Sequence, residues 1–466
     1  MRRPDVRRAA AALAPVVTAA LLAGAARADQ MAGVAPGTLE GRPAPEETSP
    51  VQALIDRAAP GSTVVVPAGR YVGDLVVDRP LHLVGQGRPL LVASGAGSVV
   101  RVRADDVTVE GFEVDGREIG DLGRDSAGVH VAASRVTVRS CRIRRTIFGV
   151  YLREAHGVTV EDCDITGIPG RDPGEKGSGI HIWNTTGFTF RGNRIEDVRD
   201  GIYIQSATHG LVEKNVARNL RYGLHYMFSD DNVFRDNVFE NGDAGTAIMY
   251  SKRIRFERNR FLHNRGFASV GLLFQTCDDV VAEDNLLADN ARGIFIEDSY
   301  RNVFRRNVVA ESDTALVVYG SCGENRFEGN SFLANLTPLT LVGKRTDTVF
   351  DGNYWSENDE PDLDGDGRSD RPYRLSNVFD HLRGNLLAAD LFAQSFAATA
   401  IGVAERTFPV LEQVAAVDHA PLARPPDLPA VPTPDGERGR ASFPGLAASF
   451  GALLGGSAIL LVGRRR

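Results

Sequence analysis

Residues 179–242 decide the fold, and they read GIHIWNTTGFTFRGNRIEDV (179–198), GIYIQSATHGLVEKNVARNL (201–220) and GLHYMFSDDNVFRDNVFENG (223–242). Each block begins with glycine, alternates apolar residues with others, and carries an asparagine at the same position. A period of 22 residues with short alternating strands is typical of a parallel β-helix, in which each repeat forms one coil. We therefore predict an all-β, right-handed parallel β-helix over residues 50–355.

Asparagine recurs at one position of successive repeats, where side-chain amides can bond from coil to coil as a ladder. Cys141 and Cys163 take the same position, 22 residues apart, and we expect small buried side chains there. A disulfide between them is the alternative in an oxidising compartment. Cys277 and Cys322 are two coils, or roughly 10 Å, apart, which is too far for a disulfide. The asparagines in phase are Asn193, Asn215, Asn237, Asn259, Asn285, Asn307, Asn330 and Asn353.

The two ends of the chain predict segments outside the repeats. Residues 1–28 combine a basic start, an apolar run and Ala-Arg-Ala, which is the plan of a cleaved signal peptide and predicts a periplasmic protein. We expect an amphipathic helix at the start of 50–355 to cap the first coil. After the coils come an Asp/Gly loop (356–375), a C-terminal extension (376–420), a Pro-rich linker (421–442) and an apolar tail (443–466). The tail predicts a membrane tether or a sorting signal, with a buried terminal helix as the alternative.

The composition limits the classes of function. The chain has 466 residues, with 53 lysines and arginines against 60 acidic residues and a formal net charge of −7. No basic stripe stands out in the sequence, which argues against nucleic-acid binding. The hydrophobic fraction of 43% is enough for a sizeable core.

One outward face of the predicted coils has an unusual composition. Strand side chains alternate between faces, and in GIHI, GIYI and GLHY the apolar partners point into the core. We expect the residues between them to be exposed and to form a binding face. Such a face could be a carbohydrate-stacking groove or a metal site. The alternative to a binding face is one that a loop or the C-terminal segment covers. The first outward column is His130, Tyr151, His181, Tyr203, His225 and Ala247, and the second is Ala132, Arg153, Trp183, Gln205, Met227 and Met249. The main residues of the predicted binding face are His130, Tyr151, Trp183 and Tyr203.

Two methionines take the same position of neighbouring coils. Met227 and Met249 are two of only four methionines in the chain, and we expect them about 5 Å apart on adjacent rungs. His225 lies two residues before Met227 on the same face. Thioether sulfur and imidazole nitrogen form a soft ligand set that favours Cu(I). The pattern predicts a copper site at these three residues, with His181 as a further ligand; gap-filling in a core is the usual role of methionine and is the alternative.

The segment DLDGDGRSD at 362–370 predicts a second metal site. Its acidic residues follow positions 1, 3, 5 and 9 of a calcium-binding loop, and Gly367 stands at position 6. Position 12 is Tyr373 instead of the usual glutamate. We expect a structural Ca²⁺ ion here, with a solvated acidic turn as the alternative. The predicted calcium ligands are Asp362, Asp364, Asp366 and Asp370.

Three stretches carry a resemblance to a known family: GLHYMFSDDN (223–232), GTAIMYSKRI (245–254) and NYWSENDEPDLDGDGRSDRPYR (353–374). With them, the chain resembles the NosD family of nitrous oxide reductase maturation proteins over roughly residues 50–420. The resemblance implies a periplasmic β-helix that helps to assemble the copper–sulfide centre of nitrous oxide reductase. It also implies partners: the membrane and ATPase subunits of an ABC transporter, a copper chaperone lipoprotein, and the reductase itself.

Two other classes of protein share such repeats. A polysaccharide-binding or polysaccharide-cleaving β-helix would use the aromatic column as a sugar groove. Hydrolysis would need paired carboxylates and elimination a positioned base, but apart from Glu297 the outward columns are poor in acids. A structural or adhesive solenoid is the third class. We therefore expect an accessory protein instead of an enzyme.

Overall fold

Three parallel sheets run the length of the molecule in the structure, which is a computed structural model. It describes residues 49–95, 97–266, 269–343, 346–375, 395–396, 400 and 416–426. The chain winds as a right-handed parallel β-helix, so the fold expected from the repeats is confirmed. The predicted signal peptide and apolar tail lie outside the described residues, as do almost all of the C-terminal extension and most of the linker.

Each coil contributes one strand to each sheet. A helix, α1 (Pro50–Arg57), precedes the strands, and two 3₁₀ turns lie at Leu122–Arg124 and Pro173–Glu175. Sheet A contains β1 (Thr63–Val66), β4 (His82–Gly85), β7 (Thr108–Glu110), β10 (Thr137–Arg139), β13 (Val158–Glu161), β16 (Phe188–Arg191), β19 (Leu211–Glu213), β22 (Val233–Arg235), β25 (Arg255–Glu257), β28 (Val281–Glu283), β31 (Val303–Arg305), β34 (Arg326–Glu328), β37 (Val349–Asp351), β40 (Val417–Asp418) and β39 (Tyr373–Arg374). Sheet B contains β2 (Arg70–Val72), β5 (Leu90–Val92), β8 (Glu113–Asp115), β11 (Arg142–Arg144), β14 (Asp164–Thr166), β17 (Arg194–Glu196), β20 (Val216–Arg218), β23 (Val238–Glu240), β26 (Arg260–Leu262), β29 (Leu286–Ala288), β32 (Val308–Ala310), β35 (Ser331–Leu333) and β38 (Tyr354–Trp355). Sheet C contains β3 (Leu75–Val77), β6 (Val100–Val102), β9 (Ala127–Val131), β12 (Phe148–Arg153), β15 (Ser178–Thr186), β18 (Asp200–Thr208), β21 (Tyr222–Met227), β24 (Ala244–Lys252), β27 (Leu272–Asp278), β30 (Arg292–Glu297), β33 (Thr314–Tyr319) and β36 (Thr337–Val342).

The core is built from columns of identical or similar apolar residues. The rings of Phe234 and Phe256 stack with their centroids 4.8 Å apart, and those of Phe304 and Phe327 stack at 4.4 Å. All four side chains are fully buried. Each coil hides apolar surface only against the coils above and below it, so stability comes from stacking many of them.

The asparagine ladder expected from the sequence is present. Each asparagine from Asn193 to Asn330 donates its Nδ2 hydrogen to Oδ1 of the next at 2.9–3.1 Å. The backbone N–H of Cys163 bonds Oδ1 of Asn193 at 3.1 Å, so the cysteine position continues the ladder. Cys141 and Cys163 are buried free thiols in the structure, which agrees with the expected small buried residues. Within the described residues, Cys277 and Cys322 are free as well.

At each end of the solenoid, a further element makes hydrogen bonds to the backbone of the terminal coil and closes it. At the N-terminal end, Gln52 of α1 exchanges two hydrogen bonds with the backbone of Val76, which confirms the expected capping helix. At the C-terminal end, β40 pairs with both β37 and β39. Within the part of the chain that the structure describes, no helix is long and apolar enough to span a membrane.

Candidate functional site

The two outward columns of sheet C have the register expected from the sequence. Tyr151 pairs with His130 and His181, and Tyr203 pairs with His181 and His225. The rings from His130 to Tyr203 stack face to face at centroid distances of 5.2, 4.6 and 4.4 Å. Tyr203 then meets His225 edge to face at 4.9 Å. The parallel sheet therefore assembles residues about 20–30 positions apart into one continuous column.

The columns are less exposed than the sequence suggested, so the expectation of an open binding face is wrong in this respect. His225 is 1% exposed, and Met227 and Met249 are 8% and 7% exposed. The aromatic members of the first column, Tyr151 and Tyr203, are also buried. Of the predicted face, His181 and Trp183 keep partial exposure, and the guanidinium of Arg153 lies 5.4 Å from the Trp183 ring. Any ligand would meet a largely desolvated site.

His225 has one bonded ring nitrogen and one that is free. Its Nδ1 lies 3.3 Å from Oδ2 of Asp200, whereas Nε2 is buried and has no hydrogen-bond partner among the described residues. Burial lowers the pKa of His225, and Asp200 only partly offsets this. The imidazole is therefore neutral near pH 7, with the lone pair of one nitrogen available for a ligand.

Asp200 is the functional candidate that sequence reasoning missed. It is fully buried at the start of β18, and Arg221 bonds both of its carboxylate oxygens at 2.8 and 2.9 Å. Burial would raise the pKa of Asp200, but the charge of Arg221 and the bond from His225 outweigh it and hold the pKa well below its usual range. The carboxylate is thus ionised and can only accept hydrogen bonds. The sequence offered one signal for this residue: Asp200 is an acidic residue whose neighbours in the same column, Ser178 and Tyr222, are uncharged.

The two methionines lie side by side as expected. Met227 and Met249 are register partners on β21 and β24, and they pack in one cluster with Tyr203 and Ala247. The hydroxyl of Tyr203 lies 3.6 Å from the Met227 sulfur and 2.8 Å from Oε1 of Gln205. The small Ala247 is the register partner of His225, so no bulky side chain follows the imidazole in its column.

His181 does not join His225 directly. Its ring is stacked between Tyr151 and Tyr203, which places the Tyr203 ring between the two histidines. Burial lowers the pKa of His181 to about 3, and its Nδ1 has no partner among the described residues. Of the four predicted copper ligands, His225, Met227 and Met249 lie on one face of two adjacent strands, whereas the Tyr203 ring separates His181 from His225.

The Asp/Gly loop brings together three of its four predicted ligands. Carboxylate oxygens of Asp362, Asp364 and Asp366 lie within 4.8 Å of one another. Asp370 lies outside this group, and its Oδ2 accepts the backbone N–H of Leu363 at 2.6 Å. Asp370 as the ninth-position ligand therefore stays a prediction, since this position of a calcium loop often binds the ion through a water molecule.

Together, the solenoid and its two outward columns, one with imidazole and the other with thioether groups, define a β-helix protein with a candidate site for a soft metal ion. The family described as "Periplasmic copper-binding protein (NosD)" matches residues 167–362. The chain is 30% identical to the "Probable ABC transporter binding protein NosD" of Pseudomonas aeruginosa strain PAO1 over 395 residues, which cover 81% of this chain and 92% of that protein. It is 29% identical to the protein of the same name from Stutzerimonas stutzeri over 382 residues, covering 78% and 86%. The chain belongs to the NosD family.

A solved structure shares the fold. The A-module of the mannuronan C-5 epimerase AlgE4 from Azotobacter vinelandii superposes with a TM-score of 0.52 at 16% identity, covering 64% of this chain and 94% of that module. At this identity the likeness establishes the β-helix and carries nothing about activity.

Proposed function

We propose that this protein is a periplasmic accessory factor for assembly of the copper–sulfide centre of nitrous oxide reductase, and that it binds and relays Cu(I). The membership of a copper-binding family and the names of the relatives as ABC transporter binding proteins support this role. The partners we propose are the transporter's membrane and ATPase subunits, a copper chaperone lipoprotein and the reductase. Copper is the cargo in this proposal.

The observation that carries the proposal is the unpartnered Nε2 of His225 on the same face of sheet C as two methionines in register. A buried ring nitrogen without a partner costs about 1–3 kcal/mol. Binding a metal ion would satisfy it, and neutral imidazole with thioether sulfur is the donor set that soft Cu(I) prefers. Met227 on the same strand and Met249 on the next would supply the sulfur atoms.

His181 has a secondary role in this proposal. The Tyr203 ring separates it from His225, so one ion bound at the methionines would not reach both histidines. We assign the primary site to His225, Met227 and Met249. His181 would hold a second position along the column, and the predicted binding-face residues around it would enclose that position.

An anaerobic Cu(I) titration of the full-length chain against a colorimetric chelator tests the site. The variant Met227→Leu/Met249→Leu removes both sulfur atoms and keeps most of the side-chain volume, so packing is preserved. Met31→Leu is the matched control, since it removes one sulfur atom elsewhere in the sequence. We expect tight binding by the unchanged chain and the control, and at least a tenfold loss in the double variant.

Two results would contradict the assignment. Equal affinity in the double variant would move copper away from the methionines, and absent binding in the unchanged chain would leave them a packing role. Capture of the transporter and reductase by the tagged chain tests the partners separately. Turnover of alginate or pectate by the purified chain would instead favour the polysaccharide alternative.

We also propose that Asp362, Asp364 and Asp366, with Asp370 as the fourth predicted ligand, bind Ca²⁺ with a structural role. The oxygens of the first three are close enough to share one ion, and oxygen ligands suit this hard cation. The loop is tied to the C-terminal cap, because Arg368 donates to the Ala420 carbonyl at 2.9 Å. Bound calcium would therefore stabilise the closed end of the solenoid.

A further inference from the structure

We propose that Asp200 is a positioning residue of the copper site: it fixes the tautomer of His225 so that Nε2 keeps its lone pair for the metal. This inference rests on the proposed Cu(I) function. Asp200 does not touch the metal in this scheme. It acts only through the imidazole of His225.

The first step of the argument is the direction of the hydrogen bond. Both carboxylate oxygens of Asp200 accept N–H groups of Arg221, at 2.9 and 2.8 Å, so this carboxylate acts as an acceptor. The contact of 3.3 Å between Asp200 Oδ2 and His225 Nδ1 then places the proton on Nδ1. A neutral imidazole with a proton on Nδ1 has none on Nε2. Nε2 of His225 is therefore a bare acceptor, and it is the ring nitrogen without a partner.

The second step concerns the guanidinium of Arg221, which lies 3.5 Å from the same Nδ1. An arginine can only donate, so a bond from it would require the opposite tautomer. Arg221 is instead committed to Asp200 through Nε and Nη2 at 2.9 and 2.8 Å. Its Nη2 and the Nδ1–H of His225 are two donors converging on one oxygen, and this explains their proximity.

The third step separates positioning from a purely structural role. The ion pairs of Asp200 with Arg221 and Arg199 already balance a buried carboxylate without any histidine. If His225 served only to support these ion pairs, its Nε2 would stay buried without a hydrogen-bond partner, which costs about 1–3 kcal/mol. In metal sites a carboxylate commonly accepts the second N–H of a ligating histidine and sets its orientation. The arrangement at His225 matches that pattern.

Replacing the carboxylate by an amide tests this directly. In Asp200→Asn, one side-chain atom stays an acceptor for Arg221 while the amide N–H₂ can donate to Nδ1 of His225. That bond would move the imidazole proton to Nε2 and block it as a ligand. Loss of such a partner typically weakens metal binding about 10–100-fold, and we expect this range for Cu(I).

The experiment compares four full-length proteins in the Cu(I) titration: the unchanged chain, Asp200→Asn, His225→Phe and the double variant. If Asp200 acts through His225, the double variant binds no more weakly than His225→Phe alone. Additive losses in the double variant, or an unchanged affinity in Asp200→Asn while His225→Phe loses binding, would overturn the inference. Absent binding in the unchanged chain would instead refute the proposed function.

A second measurement does not depend on whether Asp200→Asn folds. In the unchanged metal-free chain with ¹⁵N-labelled histidine, the His225 ring signals, assigned by their absence in His225→Phe, report the tautomer. We expect a protonated Nδ1 and an unprotonated Nε2. A proton on Nε2 in the unchanged chain would overturn the inference whatever the copper affinities.

Discussion

Asp418 ends the asparagine ladder, and its replacement tests how the solenoid is closed. Its carboxylate accepts the backbone and side-chain N–H groups of Asn353 at 3.0 and 2.9 Å, the indole N–H of Trp355 at 3.1 Å and the backbone N–H of Gly352 at 3.1 Å. The side chain is fully buried. It therefore takes the place that the next asparagine would occupy in one more coil.

Asp418→Ala would leave these four buried donors without their acceptor. At about 1–3 kcal/mol for each unsatisfied group the sum is about 4–12 kcal/mol. The cap can detach and admit water to the donors, which limits the observed loss to about 3–5 kcal/mol, the upper range for single substitutions. Asp418→Asn keeps one acceptor oxygen for the Asn353 side chain, as in the other asparagine pairs of the ladder. We expect this variant to lose less than half as much stability as Asp418→Ala.

A repeat array need not unfold as one unit, so the loss of stability should be measured at the C-terminal coils instead of from global unfolding. Hydrogen exchange of peptides spanning 349–356 should accelerate in Asp418→Ala, while exchange near Asn215 stays unchanged. Asp351→Ala is the control, because its largely exposed carboxylate is 4.0 Å from Arg368, where an ion pair contributes about 0–1 kcal/mol. Protection at 349–356 equal to that of the unchanged chain would refute the view that Asp418 closes the ladder.

Three further predictions follow from the described residues. Cys141 and Cys163 should resist thiol reagents until the chain unfolds, because both side chains are only 2% exposed; labelling of either of these two thiols in the native chain would contradict this. Gly179→Ala should cost about 1–3 kcal/mol by thermal unfolding, since the added methyl would collide with the Ile195 side chain. Removing calcium with a chelator should lower the melting temperature of the unchanged chain but leave Asp364→Ala unaffected; equal shifts in both would contradict calcium binding at the loop.

The fold was accessible from the sequence because the same physical demand repeats in every coil. A buried asparagine must bond its neighbours above and below, so only asparagine or a residue such as Cys163 or Asp418 fits the position. Because of that constraint, asparagine recurs in the sequence once per coil, and this period predicts the fold without a structure. The column order of sheet C follows from the same register, and His225, Met227 and Met249 were correctly placed on one face.

What the period does not encode is the environment of each column. Outward alternation suggested exposed rings, but the described face is largely buried, because the large side chains of neighbouring coils stack on and cover one another. Asp200 was missed for a similar reason: its partners Arg221 and His225 come from the next coil. The bond from the backbone N–H of Leu363 to Oδ2 of Asp370 is likewise a contact that the spacing of the acidic residues does not encode.

The spacing of the coils gives a physical reason why a β-helix suits a site of this kind. Strands in register lie about 4.8 Å apart, so equal side chains on adjacent rungs repeat at that distance. With metal–sulfur bonds of about 2.3 Å, as in zinc–thiolate sites, two sulfur atoms sharing one ion lie up to about 4.6 Å apart. Two methionines in register, such as Met227 and Met249, therefore need little rearrangement to bind one ion between them. A histidine two residues along the same strand adds a nitrogen donor from the same face. Without metal the two methionines pack in one cluster with Tyr203 and Ala247, so the proposed binding of Cu(I) would require no refolding of the scaffold.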